Sequence, residues 1–134
     1  MVYHPKINND EDLSIEKVKN ILDLKYNCNL KRLKEFSTFD LIDKNNKLIV
    51  EVKNRYNNYN KYPTTMIGEN KYLRAEHYFK KDYKILFIFS FLDGIYYYEY
   101  INEHFEPKKG GRIDRGEKEI KNYIFIPINK LNKL

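Results

Sequence analysis

The chain has 134 residues, and Lys plus Arg outnumber Asp plus Glu by 25 to 19 for a net charge of +6. That suits one domain able to bury a real core and favours polyanionic partners such as nucleic acid. Cys28 is the single cysteine and His4, His77 and His104 are scattered, which excludes an intramolecular disulfide and a clustered zinc site.

The opening MVYHPKINNDED carries no apolar signal core. The longest apolar run, ILFIFSFL at 85 to 92, falls far short of the roughly 20 residues of a membrane span. The expectation is a soluble, intracellular protein, in cytoplasm or, in a eukaryotic or viral setting, in the nucleus or a viral factory. Residues 12 to 26 predict an amphipathic helix, with Ile15, Val18, Leu22 and Tyr26 at helical spacing and Asp12 or Ser14 as caps. LKRLKEFSTFDLID, 30 to 43, offers one or two strands broken near Ser37, and LIVEVKNR after the turn KNNK reads as another.

The polar stretch 54 to 68 reads as a loop, long enough to be functional or mobile. A charged second helix is predicted over 69 to 82, then KILFIFSF, 84 to 91, as a strand covered on both faces. IYYYEYI (95 to 101) follows a turn at 92 to 94, with its tyrosines expected in cross-strand packing. A loop at 107 to 121 precedes YIFIPIN, 123 to 129, whose Pro127 suggests a sheet edge. No repeat or linker divides the chain, so residues 1–134 read as one domain. The order α-β-β-β-α-β-β-β predicts an α/β fold with a mixed sheet flanked by helices.

The stretch FDLIDKNNKLIVEVKNR, 39 to 55, poses a chemical question. With Asn45-Asn46 at the tip of a two-residue hairpin, opposed residues have numbers summing to 91. One face then pairs Leu41 with Val50 and Phe39 with Val52. The other pairs Ile42 with Ile49, Asp40 with Glu51 and Thr38 with Lys53. Opposed like charges destabilise a strand pair, so two facing carboxylates make sense around a cation, and hard oxygen ligands suit Mg²⁺. Lys53, next on the same face, could orient or activate an attacking water or stabilise charge on a phosphate oxygen. A half-exposed hairpin whose Asp, Glu and Lys face water would carry the same triplet.

Asp40, eleven residues and a turn before Glu51-Val52-Lys53, resembles the PD-(D/E)XK nuclease superfamily, over about residues 12 to 92. Phe39 stands where the motif name has proline, a position that varies in the superfamily. The resemblance implies a restriction-endonuclease-like core, α-β-β-β-α-β with a mixed central sheet flanked by helices. It further implies Mg²⁺, with Mn²⁺ as a substitute, on Asp40, Glu51 and the main-chain carbonyl of Val52, and Lys53 as the catalytic lysine of DNA backbone hydrolysis. Many members carry another acid on the first helix, and Glu16 matches best by position, although it also complements a helix N-terminus. Asp43 falls on the opposite face from Asp40 and belongs to the turn.

Arg55, Lys61, Thr64, Thr65, Lys71 and Arg74 are candidate phosphate contacts, which fix register without reading sequence. Arg112 and Arg115 lie among glycines in GGRIDRG, where backbone can approach a DNA strand closely. The expected function is a Mg²⁺-dependent DNA endonuclease, acting as a homodimer because two strands need two sites. A Holliday-junction resolvase, a restriction or virus-encoded nuclease, an RNA endonuclease and a non-catalytic nucleic-acid-binding module retaining the fold remain alternatives.

Overall fold

Two amphipathic surfaces and one apolar strand organise the molecule, a computed structural model that describes residues 5–34, 36–110 and 121–134. Helix α1, Pro5–Tyr26, buries Ile15, Val18 and Leu22 almost completely. It starts seven residues upstream of position 12, where the sequence suggests a cap. Asp12 does not cap it: its carboxylate accepts a hydrogen bond from the Arg32 guanidinium at 3.3 Å. The helix ends where Asn27 takes φ 49°, the left-handed conformation Asn tolerates at a helix C-terminus.

The strands β1 (Lys31–Arg32), β2 (Leu41–Asp43), β3 (Leu48–Asn54), β5 (Lys84–Phe91), β6 (Gly94–Glu99) and β9 (Asn132–Lys133) form one sheet in the order β1-β2-β3-β5-β6-β9. The β3–β5 pair is parallel and the others antiparallel, so the architecture is mixed α/β. Strand β5 alternates between two cores, as its unbroken apolar run requires. Ile85, Phe87, Phe89 and Phe91 face α2 (Glu69–Phe79), while Leu86 and Ile88 face α1.

A second sheet, β4 (Thr64–Gly68), β8 (Lys121–Pro127) and β7 (Lys108–Gly110), has the order β4-β8-β7 and packs Ile67, Ile124 and Ile126 into the α2-side core. It corrects two expectations. The end of the supposed loop 54 to 68 is a strand, because TTMI finds a partner almost 60 residues downstream. Strand β8 is central rather than an edge. Pro127 is tolerated because it is the terminal residue, paired with Thr64 beyond the end of β7.

The hairpin that carries the acids keeps the expected register, Leu41 opposite Val50 and Ile42 opposite Ile49, but its loop has four residues, Lys44 to Lys47. Lys47 absorbs the turn at φ 52°. Asp43 holds this loop: its carboxylate accepts from Asn46 N at 3.0 Å, Asn46 Nδ2 at 2.8 Å and Asn29 N at 2.7 Å. Phe39 departs from expectation. The chain bends before β2, so Phe39 misses Val52 and enters the α2-side core against Tyr78 and Phe87, ring centroids 5.7 and 6.0 Å away.

The hydrogen bonds from Asn29 and Asn46 hold the Asp43 carboxyl down at about 2, below the ordinary carboxylate range. A depressed folded-state value adds stability above about pH 4 that is lost as pH falls towards 2. Asp43→Asn should therefore be destabilised by about 1–3 kcal/mol near pH 6, and the gap from the parent should shrink by pH 2.5, as urea unfolding at the two pH values would measure.

Candidate active site

Strand β3 ends inside the sheet with its odd-numbered side chains on the α2 side. Ile49 joins that core, and Glu51 follows at 1% exposure. A buried carboxylate needs compensation, because desolvating a charge without a partner costs several kcal/mol. Two amines supply it. Lys71, from the first turns of α2, donates to Glu51 Oε2, and Lys53 Nζ lies 3.8 Å from the same oxygen. Loss of hydration lowers both lysines from their ordinary range. At Lys53 the Arg55 guanidinium adds to the lowering and Asp40 opposes it; at Lys71 the Asp40 carboxylate opposes it.

Asp40 reaches this group from the neighbouring chain segment. Its N–H donates at 3.0 Å to Val50 O, the carbonyl opposite Leu41, so the ladder ends at the Leu41–Val50 pair. Asp40 is an extra, bulge-like residue ahead of that pair, and the expected direct facing of Asp40 and Glu51 is not formed. Its Oδ2 accepts from Val52 N at 2.8 Å. The side chain thus takes a ladder position and lies along the strand edge. Backbone groups of even-numbered β3 residues point to that edge, since the odd-numbered side pairs with β5. The Val52 carbonyl consequently faces the side on which Asp40 sits.

Glu16 does not approach this group. It is exposed and close to Lys19. The α1 acid that does is Glu11, whose charge acts on both Lys53 and Lys71 and which lines a hollow with Ser14, Val52, Lys53 and Asn54. The signal was present in the spacing. Glu11 stands four, seven and eleven residues before the buried Ile15, Val18 and Leu22, so it lies on the same helical face one turn upstream. Glu16 is rotated about 100° from Ile15.

The candidate phosphate contacts divide. Arg55 is committed internally: its Nε donates to Thr65 Oγ1 at 3.3 Å, and the other guanidinium nitrogens donate to the carbonyls of Met66 and Asn54 at 2.5 and 3.2 Å. Thr65 is buried beneath it, so neither of the two is presented to a ligand as a free phosphate contact. Thr64 is half-buried, Lys61 is exposed beside the Tyr62 ring and Arg74 is exposed over Tyr78. Lys71 belongs to the acid cluster. Arg112 and Arg115 lie outside the described residues.

The donor types suit a hard divalent cation: the Asp40 carboxylate lies at the Val52 N–H, and the Glu51 side chain leaves the adjacent residue of β3. Among the described residues no group of three His, Cys, Asp or Glu side chains is poised around a common point, and Lys71 holds the Glu51 oxygen that a cation would need.

An acidic residue at the end of one strand and an acid-x-lysine triplet on the next, in a mixed α/β frame with two helices, is an arrangement compatible with the PD-(D/E)XK nuclease superfamily. A family model described as "Phage putative PDDEXK endonuclease" matches residues 2–134, and the chain belongs to that family. No curated protein and no solved structure matches it. No helix among the described residues is long and apolar enough to cross a membrane.

Lys71→Met leaves Glu51 with the more distant Lys53 alone. Lys71 keeps some contact with water, so unfolding in EDTA should show a loss of about 1–3 kcal/mol, below the cost of stranding a fully buried charge. In Lys71→Met/Glu51→Gln much of that loss should be recovered, because the charge that needed the amine is gone.

Proposed function

We propose that the chain is a single-domain, Mg²⁺-dependent endonuclease that hydrolyses DNA phosphodiester bonds on a restriction-endonuclease-like core. The observation that supports this reading is the Asp40 carboxylate on the N–H of Val52, the residue next to Glu51, with Lys53 on the following rung of the Glu51 side. Family membership supports a nuclease and implies DNA as substrate.

In this reading Asp40, Glu51 and the Val52 carbonyl hold the Mg²⁺, for which Mn²⁺ can substitute, and Glu11 rather than Glu16 supplies the acid of the first helix. Bound there, the ion supplies Lewis-acid polarisation of the scissile phosphate. Lys53 stands beside the acids with an amine made easier to deprotonate by burial. It orients the attacking water and offsets negative charge gathering on the phosphate oxygens. Lys71 donates to the Glu51 oxygen that would hold the ion, so it would have to give up that contact for a cation to bind there. Lys61 and Arg74 are the exposed cations left to hold the strand. Cutting both strands of a duplex needs two such sites, hence a homodimer.

The prior neutralisation of Glu51 by two amines favours one competing reading, a nucleic-acid-binding module without turnover. Plasmid incubated with the protein separates the two. The enzyme cleaves with Mg²⁺ or Mn²⁺ and stops in EDTA, and Lys53→Ala slows cleavage at least about a hundredfold while remaining folded and keeping DNA affinity. Its melting temperature is lowered less than in Lys71→Met, because Lys71 still meets Glu51. Binding that weakens with salt, without any cleavage in either metal, would establish the module. Divalent ions should also raise the parent's melting temperature, since a ligand bound only by the folded state stabilises it, and Asp40→Asn should abolish that rise.

A further inference from the structure

Beyond Lys53 the chain leaves β3 through Asn54 and Arg55 and enters a loop with tyrosines at 56, 59 and 62. Between this loop, the end of β5 and the second sheet lies a cavity of about 370 Å³. Its walls include Tyr59, Tyr62, Phe91 and Phe125, and Arg55 and Asn57 also line it. None of these residues is among the acids and amines of the candidate active site.

The cavity is preformed. Tyr59 stacks on Tyr96 with ring centroids 4.2 Å apart, and Phe91 meets both rings edge-on. Tyr59 N donates to Asp93 Oδ1 at 2.9 Å and Leu92 N to Asn57 O at 3.1 Å, which ties the loop to the β5–β6 turn. The internal hydrogen bonds of Arg55 fasten the opposite side to β4, with the guanidinium over the Phe89 ring. Tyr62 differs: it is 54% exposed, with Lys61 Nζ 5.5 Å from its ring.

We infer that this cavity receives one unstacked nucleobase from the strand that passes Lys53. The inference rests on the nucleic-acid reading of the active site and extends it to a base-binding subsite. Three observations select that occupant. Lys53 and Arg55 are two residues apart, about 7 Å of extended chain, or about two nucleotide rises, so a strand lying on the acids comes within reach of the opening. Four of its lining residues are aromatic, the side chains on which bases stack, and the volume lies near the lower end of the range for small-molecule pockets. Lys61 at the rim provides a cation for the flanking phosphate, in a chain of net charge +6.

The test uses the whole chain in EDTA with two fluorescent probes, an octathymidylate and an abasic deoxyribose-phosphate backbone of equal length and charge. The parent should bind the thymidylate about tenfold tighter, the scale of one base stacked on an aromatic side chain. Tyr62→Ala should erase most of that preference, and Tyr62→Phe should keep it. Tyr62 is largely exposed, so an unchanged melting temperature would separate loss of the subsite from loss of the fold. Equal affinity of the parent for the two probes, no binding of either, or a full preference in Tyr62→Ala would overturn the inference. Cleavage reads the other proposal separately: base preference without cleavage leaves the subsite and removes the nuclease, and cleavage without base preference does the reverse.

Discussion

A carboxylate held out of water inside a sheet is the constraint from which the rest of this structure follows. Glu51 is almost wholly buried on the α2 side of the sheet, next to the apolar residues of that core and covered by two partly exposed lysines. Such a group is tolerable only when positive charge is brought to it. Lys53 arrives by the two-residue repeat of its own strand and Lys71 by the docking of α2. The site is therefore assembled by the same contacts that close the α2-side core, and its geometry cannot be loosened without loosening that core.

Asp40 solves a different problem. Where the chain bends ahead of β2 the backbone ladder stops, and Val52 N–H would be left without a partner. The Asp40 side chain fills that gap. The acid proposed to bind the metal is thereby held by a hydrogen bond that the strand itself requires. The same bend sends Phe39 into the opposite core from the one its alternation implies. One local irregularity thus both seats Phe39 among the rings under α2 and places the Asp40 carboxylate on Val52 N–H.

Much of this was legible in the amino-acid order. The 2.0-residue period of LIVEVK and the unbroken run KILFIFSF declare their strands, and the spacing sets Asp40 and Glu51 on the two arms of one hairpin. Their direct facing is not realised, because Asp40 bonds to Val50 O and Val52 N instead. What was hidden depended on partners remote in sequence. Thr64–Gly68 has no hairpin neighbour and becomes a strand only through β8. Lys71 and Arg55 read as free surface cations because nothing local says that one meets a buried acid and the other bonds to the backbone of a second sheet. Glu11 was concealed by a boundary error: a helix supposed to begin at Asp12 cannot carry an acid at position 11, whereas the real helix extends a further turn and more upstream.

The four-residue loop from Lys44 to Lys47 has a consequence for how this hairpin can change in length. Loops of two and of four residues leave the same amino acids facing one another, which is why a mistaken loop length still yields the right partners. Deletions or insertions in pairs preserve that arrangement, while a single added or missing residue turns one strand over relative to the other and exchanges acid for hydrocarbon. The hairpin tip is thus a place where length has parity, and odd-numbered edits there strike chemistry situated at the far end of the strands.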